Sequence, residues 1–194
     1  MKPKSSNILV LSLIVSIIFN IYVYHIYNHK ITQNQSINQN SLWEISVYGE
    51  SLANSLHIFL DHSNGDLNQH MEIDLYNSWR VVIGASRSIN GCLNRIRPYE
   101  MDQNVPKWIL FQYSLLRVDM FLHSMNLKFL RNGDYSITSE ERQQLESVIK
   151  VYETIRDEYK SESNSPVSFI DLLSEQMMII DEHYTNTIEV IKGF

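Results

Sequence analysis

Residues Ile8 to Tyr27 read ILVLSLIVSIIFNIYVYHIY and carry no formal charge at neutral pH. No other stretch limits the fold as strongly. A helix rises about 1.5 Å per residue, so roughly twenty residues cross the ~30 Å hydrocarbon core of a bilayer. Ile, Leu and Val each favour insertion; Asn20 and His25 oppose it, Asn20 more because it sits deeper. Tyr22, Tyr24 and Tyr27 near the far end suit an interface, where an aromatic body with a polar tip is favoured. Asn20 could hydrogen-bond a second helix in lipid, but a polar residue tolerated within a strongly apolar segment is the plainer expectation.

The expected segment is an uncleaved signal anchor. A cleaved signal peptide has a shorter apolar region followed by small residues, whereas this run ends in Tyr, His, Ile, Tyr and Asn. The chain has only two alanines, Ala53 and Ala85, and its one cysteine, Cys92, lies far beyond the run. Lys2 and Lys4 precede the segment and Lys30 follows it, which predicts a cytoplasmic N-terminus and an extracytoplasmic remainder. The expected organisation is a cytoplasmic stub over 1–7, an anchor over 8–27, a polar tether over 28–41 and a helical domain over 42–194. A cell-membrane, single-pass protein follows from it.

Charge is unevenly spread. All 22 acidic residues lie beyond the anchor, the first being Glu44. Setting aside Lys2, Lys4 and Lys30 from the 16 basic residues leaves 13, a net charge of −9 for the domain. Such a surface repels phosphate backbones, and nucleic acid is not an expected partner. With one cysteine there is no intrachain disulfide to expect, and Cys92 reads as a small buried hydrophobe.

Residues 31–41, ITQNQSINQNS, are polar and uncharged, which predicts a flexible tether. They include the glycosylation sequon Asn34-Gln35-Ser36. Beyond them the hydrophobic period is helical throughout. A first helix is predicted over Leu42–Leu60, closed by the turn residues of 61–65. A second starts at Asp66, with Gln69 in a capping-box position, and runs to Ile96. Gly84 and Gly91 inside it suggest a close helix crossing or a bend. A third runs from Pro106 to Leu130 and ends at Asn132-Gly133-Asp134. Its apolar row is Trp108, Phe111, Leu115, Val118, Leu122, Met125 and Phe129. A fourth opens with the capping box Thr138–Glu141 and runs to Tyr159. A fifth takes Ser165 as N-cap and Pro166 at its first position and continues to Ile191. The expected fold is all-α: one N-terminal transmembrane helix, then an antiparallel bundle of about five helices.

Candidate chemistry is sparse. Arg80 and Arg87 are seven apart on one side of the second helix, followed by Arg95 and Arg97. They could hold a carboxylate or phosphate group, but pairing with acids of neighbouring helices, Asp119 among them, is the plainer expectation. Asp119 and His123 form an i, i+4 pair on the third helix. Arg80, Arg87, Asp119 and His123 are the ligand-site candidates. His57, Asp61 and His62 have metal-compatible spacing, yet a solvated helix end with a cation near its negative dipole is the plainer expectation. His183, beside Ile180 and Tyr184, reads as a histidine at the edge of the core. No phosphate-binding glycine loop, nucleophile elbow or zinc motif is present in the sequence. No cofactor, metal site or catalytic residue is expected. The functional expectation is a non-enzymatic interaction or regulatory module working with an envelope protein. A ligand-binding, sensor-like domain is the alternative and an envelope enzyme the second alternative.

Overall fold

A computed structural model of the protein describes residues 5–63, 69–97, 105–160 and 170–184. It is all-helical, with no strand among the described residues. Five helices follow in order: α1 (Ser5–His62), α2 (Gln69–Leu93), α3 (Val105–Asn132), α4 (Ser139–Lys160) and α5 (Ile170–Ile180).

The largest departure from expectation lies in α1. Its 58 residues form one unbroken helix, about 87 Å long at the usual rise. The segment predicted to be a tether is helical along its whole length. The core row of α1 explains why. Of the predicted apolar row Leu42, Ile45, Tyr48, Leu52, Leu56 and Phe59, all but the exposed Tyr48 are buried, and the row continues backward at helical spacing through Asn38 and Asn34. Asn38 is fully buried and grips the segment that follows α2 at two points. Its Oδ1 accepts from the Arg97 backbone N–H at 2.9 Å, and its Nδ2 donates to the Arg97 carbonyl at 3.4 Å. A helix that already exists on both sides adds each further residue without a new nucleation cost. Polar composition therefore did not mean disorder here. Asn34, the sequon residue, is itself a buried position on this helix.

The N-terminal half of α1 is bare. An 18-residue window in it has a mean hydropathy of 2.1 and none of it is buried. By length and composition this helix is able to cross a membrane. About seven residues separate Tyr27, the end of the apolar run, from the first packed position, Asn34, or about 10 Å of helix.

The other helices gather on the C-terminal half of α1. α2 and α4 pack on α1, α3 on α2, and α5 on both α3 and α4. Paired residues fix their sense. Asn38 meets Arg97 while Phe59 meets Trp79, so α1 and α2 are antiparallel. Leu93 meets Gln112 while Trp79 meets Asn126, so α3 reverses again. On the other side Arg142 reaches Leu60 and Lys160 reaches Glu50, making α4 antiparallel to α1. One buried apolar cluster joins all five. Its far end, away from the bare half of α1, is aromatic: Trp79 lies 5.1 Å from Phe59 and 4.8 Å from Phe129, centroid to centroid. Burying each such ring stabilises the fold by about 1.5–3 kcal/mol.

Several helix ends are those the sequence announces. In the Thr138–Glu141 box each partner bonds the other: Glu141 N–H to Thr138 Oγ1 at 3.1 Å and Thr138 N–H to the Glu141 carboxylate at 2.7 Å. Gly133 closes α3 with φ of 72°, a conformation that favours glycine. Others differ. α2 ends at Leu93 rather than Ile96, its last turn tightening through Arg95 N–H to the Cys92 carbonyl. α5 breaks after Ile180, where the Asp181 side chain accepts from the His183 N–H and offers the backbone a turn instead of another helical bond. The predicted caps at Gly65, Asp66, Ser165 and Pro166, and the end at Ile191, lie outside the described residues.

The close crossing is also elsewhere. A Cβ placed on Gly84 or Gly91 would meet nothing within 4 Å. At Gly49, on α1, it would meet the Tyr152 ring of α4 at 2.7 Å.

Candidate functional site

Arg80 and Arg87 project from α2 and are both exposed. Neither has an ion pair or hydrogen bond among the described residues, contrary to the expected internal pairing. Three other arginines show the contrast: Arg117 holds Asp181, Arg95 holds Glu44 and Arg156 holds Asp157. Arg80 and Arg87 flank Gly84 on the rim of an open hollow of about 340 Å3 between α2 and α3. Tyr76, Trp79, Asn126 and Tyr135 contribute to its walls. Trp79 is fixed there by donating its indole N–H to Asn126 Oδ1 at 3.0 Å.

Asp119 does not join them. Its carboxylate is taken up by α2 itself, accepting from Ser86 Oγ at 2.6 Å and Asn90 Nδ2 at 3.2 Å. The expected pairing of Asp119 with an arginine is corrected accordingly: a serine and an asparagine on the buried side of α2 face it, and the arginines lie on the outer side. His123 is exposed on α3 and is outside the hollow's lining. Of the four sequence candidates, two share a site, one is structural and one stands apart.

His57 contacts Glu153 at 3.4 Å, while His62 bonds the Ile58 carbonyl at 2.7 Å. No cluster of three metal-binding side chains occurs among the described residues. His183, expected at the core edge, is exposed; Asp181 is the buried member of that trio.

A second cluster escaped the sequence. Glu44 of α1 meets Cys92 and Arg95 at the end of α2, beside a hollow of about 270 Å3. Cys92 donates its thiol to the Glu44 carboxylate at 3.1 Å, and Arg95 donates to both the sulfur and the carboxylate. These bonds, from Cys92 first and Arg95 next, hold the Glu44 carboxyl below its usual range. The thiol moves the other way, to about 11: burial disfavours the thiolate, and Glu44 bonding to the S–H adds to that against the opposing effect of Arg95. Only the spacing of Cys92 and Arg95, three apart on a helix, was visible in advance.

The chemical consequence is an inert cysteine. Alkylation needs thiolate. At pH 8 the folded chain is expected to react with iodoacetamide roughly 100-fold more slowly than the denatured chain, given an ordinary thiol pKa near ~8.5. The rate should climb about tenfold per pH unit until close to 11. A rate that levels off by pH 9 would show that Cys92 is not held in this way.

No protein-family model matches the chain, and neither a curated protein nor a solved structure is similar to it. What defines the protein is therefore its own geometry: an all-helical chain with one N-terminal helix able to cross a membrane.

Proposed function

We propose that the chain is a single-pass cell-membrane protein with a cytoplasmic N-terminus and an extracytoplasmic antiparallel bundle that acts as a non-enzymatic interaction or regulatory module. The observation carrying this reading is the unbroken run of α1 from a bare apolar half into a packed half. The domain is held against the membrane by a helix rather than a loose tether, with Asn38 locking α1 to the segment that follows α2. A body so fixed presents the same face to any neighbour in the envelope. Orientation rests on Lys2 and Lys4 before the segment against Lys30 after it.

The test has two parts. Protease applied to intact cells should remove a C-terminal tag while cytoplasmic markers survive. A lysine-reactive crosslinker added to the same membranes should shift the tagged chain into larger species. A protected tag would overturn the orientation, and a chain that stays monomeric at every crosslinker dose would overturn the interaction reading.

A second reading, ligand binding, is favoured by one observation: Arg80 and Arg87 lie on the rim of the α2–α3 hollow with no ion pair among the described residues. A small anion with an aromatic or apolar body suits two guanidinium groups above Tyr76 and Trp79. Replacing both arginines with glutamine should then abolish any anion-dependent rise in melting temperature. An equal rise in the variant would remove this reading.

A further inference from the structure

Gly84 sits in the middle of α2, and nothing in the packing calls for it. Glycine is the poorest helix former after proline, and inside a helix it is usually kept for a close crossing or a bend. α2 runs unbroken past it from Gln69 to Leu93, and a Cβ placed there would meet nothing within 4 Å. What the missing side chain leaves bare is the α2 wall of the hollow of about 340 Å3. Arg80 stands one turn before it and Arg87 one turn after it, and both line the same space.

The polar groups of that space are donors. The two arginines have no ion pair among the described residues. Asn126 joins them from α3. Its Oδ1 is taken by the Trp79 indole N–H, which can only donate, so the orientation of the amide is fixed and its Nδ2 is left as a further donor. None of the described lining residues is acidic, although the domain as a whole is. The remaining walls include the rings of Tyr76 and Tyr135 and the aliphatic Ile83.

We propose that the hollow is a binding site for a one-ring aromatic carboxylate. The ring rests on the bare backbone at Gly84, beside Tyr76 and Tyr135, and the carboxylate takes donors from the arginines and from Asn126. The proposal rests on the ligand-binding reading and narrows it to one class of ligand. Charge selects the head group: guanidinium groups without an acid call for an anion, and their fork matches the two oxygens of a carboxylate. The walls select the body, since aromatic rings favour offset or edge-on contact with another ring, and a glycine lets a flat body approach the main chain. A carboxylate lies in the plane of its ring, so head and body share that seat; the tetrahedral head of a phosphate ester does not. Size sets the limit. Ligand pockets run from roughly 300 to 1,000 Å3, and this one is near the lower end, enough for a single ring and its head.

The experiment uses the full chain in micelles, with benzoate as the probe, read by titration calorimetry and by melting temperature. Arg80→Gln/Arg87→Gln serves as the blank for uptake by the micelle. Benzyl alcohol has the ring without the charge, acetate the head without the ring, and phenyl phosphate the ring with a tetrahedral head. Wild type is expected to bind benzoate at least ~10-fold more tightly than any of the three. Gly84→Leu should weaken benzoate at least ~10-fold, because a side chain there fills the seat of the ring. Leucine is a good helix former, so the free variant should melt about 2–4 °C above wild type. Affinity that falls while stability rises is a pattern that a purely structural glycine does not give. Asn126→Asp keeps an acceptor for Trp79 but replaces the remaining donor with a carboxylate oxygen, and should also weaken benzoate at least ~10-fold by repulsion. If acetate or phenyl phosphate binds as tightly as benzoate and is lost in the double-glutamine blank, the aromatic-carboxylate proposal falls and the ligand-binding reading stands. The same follows if benzoate is bound equally by Gly84→Leu and lost in the blank. If benzoate gives no more heat or melting shift with wild type than with the blank, and the other anions do no better, both fall.

Discussion

Replacing Tyr152 with alanine is expected to destabilise the fold by about 3–5 kcal/mol, the usual cost of deleting a large buried aromatic side chain. Tyr152 is fully buried on α4 and among the largest side chains so placed. Its ring lies against Gly49 of α1. The same contact gives a second result. Gly49→Ala gains up to about 1 kcal/mol of helix propensity, but its methyl would sit 2.7 Å from the ring, and overpacking costs about 1–3 kcal/mol. The net expectation is a loss. In the Tyr152→Ala background the clash has gone, so the same methyl should become neutral or stabilising, and the double-mutant cycle should show coupling of about 1–2 kcal/mol. Tyr152→Phe behaves differently. The hydroxyl is buried without a hydrogen-bond partner, and burial, then the nearby Asp119 charge, keep it protonated well above its ordinary range. Removing an unsatisfied hydroxyl should leave stability unchanged or raise it slightly. Urea unfolding of the full chain in micelles, followed by circular dichroism, reads all four variants. A loss above ~2 kcal/mol in Tyr152→Phe would show that the hydroxyl is bonded after all.

How far the sequence announces this structure depends on what each residue type is asked to do. The helical period of the described elements follows from local rules, and two caps do as well: Thr138 with Glu141, and Gly133, sit in the geometry their identities imply. The apolar rows of α3 and α4 are buried as their period requires. Composition misled where a polar residue serves as core. Asn38 continues the buried row of α1 because a backbone donor and acceptor at Arg97 lie within its reach, and neither partner is visible from the residues around Asn38. Gly49 was silent for the same reason: its meaning comes from Tyr152, about a hundred residues away. Gly84 and Gly91 drew attention through propensity alone, and nothing packs on them. For the candidate site, the i, i+7 spacing correctly put Arg80 and Arg87 on one side of α2. Their lack of partners could not be read, because it depends on Asp119 being claimed by Ser86 and Asn90.

Replacing Arg117 with methionine is expected to cost about 2–3 kcal/mol. Asp181 is a buried carboxylate, 6% exposed, at the point where α5 breaks. Arg117 of α3 donates its Nε–H to it at 2.7 Å. Hydrogen bonding to Asp181, more than any other contact, holds the guanidinium protonated beyond its ordinary range. Breaking a fully buried pair costs about 3–5 kcal/mol because the remaining charge is stranded. Arg117 is 29% exposed, so water can partly replace it and the figure is reduced. The same carboxylate accepts from the His183 N–H at 3.1 Å, which shapes the turn that carries Tyr184 inward to meet Ser114 Oγ at 2.6 Å. Loss of Arg117 should therefore loosen the end of α5 before the rest of the fold, seen as faster amide exchange at Tyr184 than in α4. Adding Asp181→Asn to Arg117→Met separates charge from packing. The amide can still accept from His183 but leaves no stranded charge, so the double variant should recover to within about 1.5 kcal/mol of wild type. A double variant no more stable than Arg117→Met alone would mean that the arginine acts through its packing rather than through the pair.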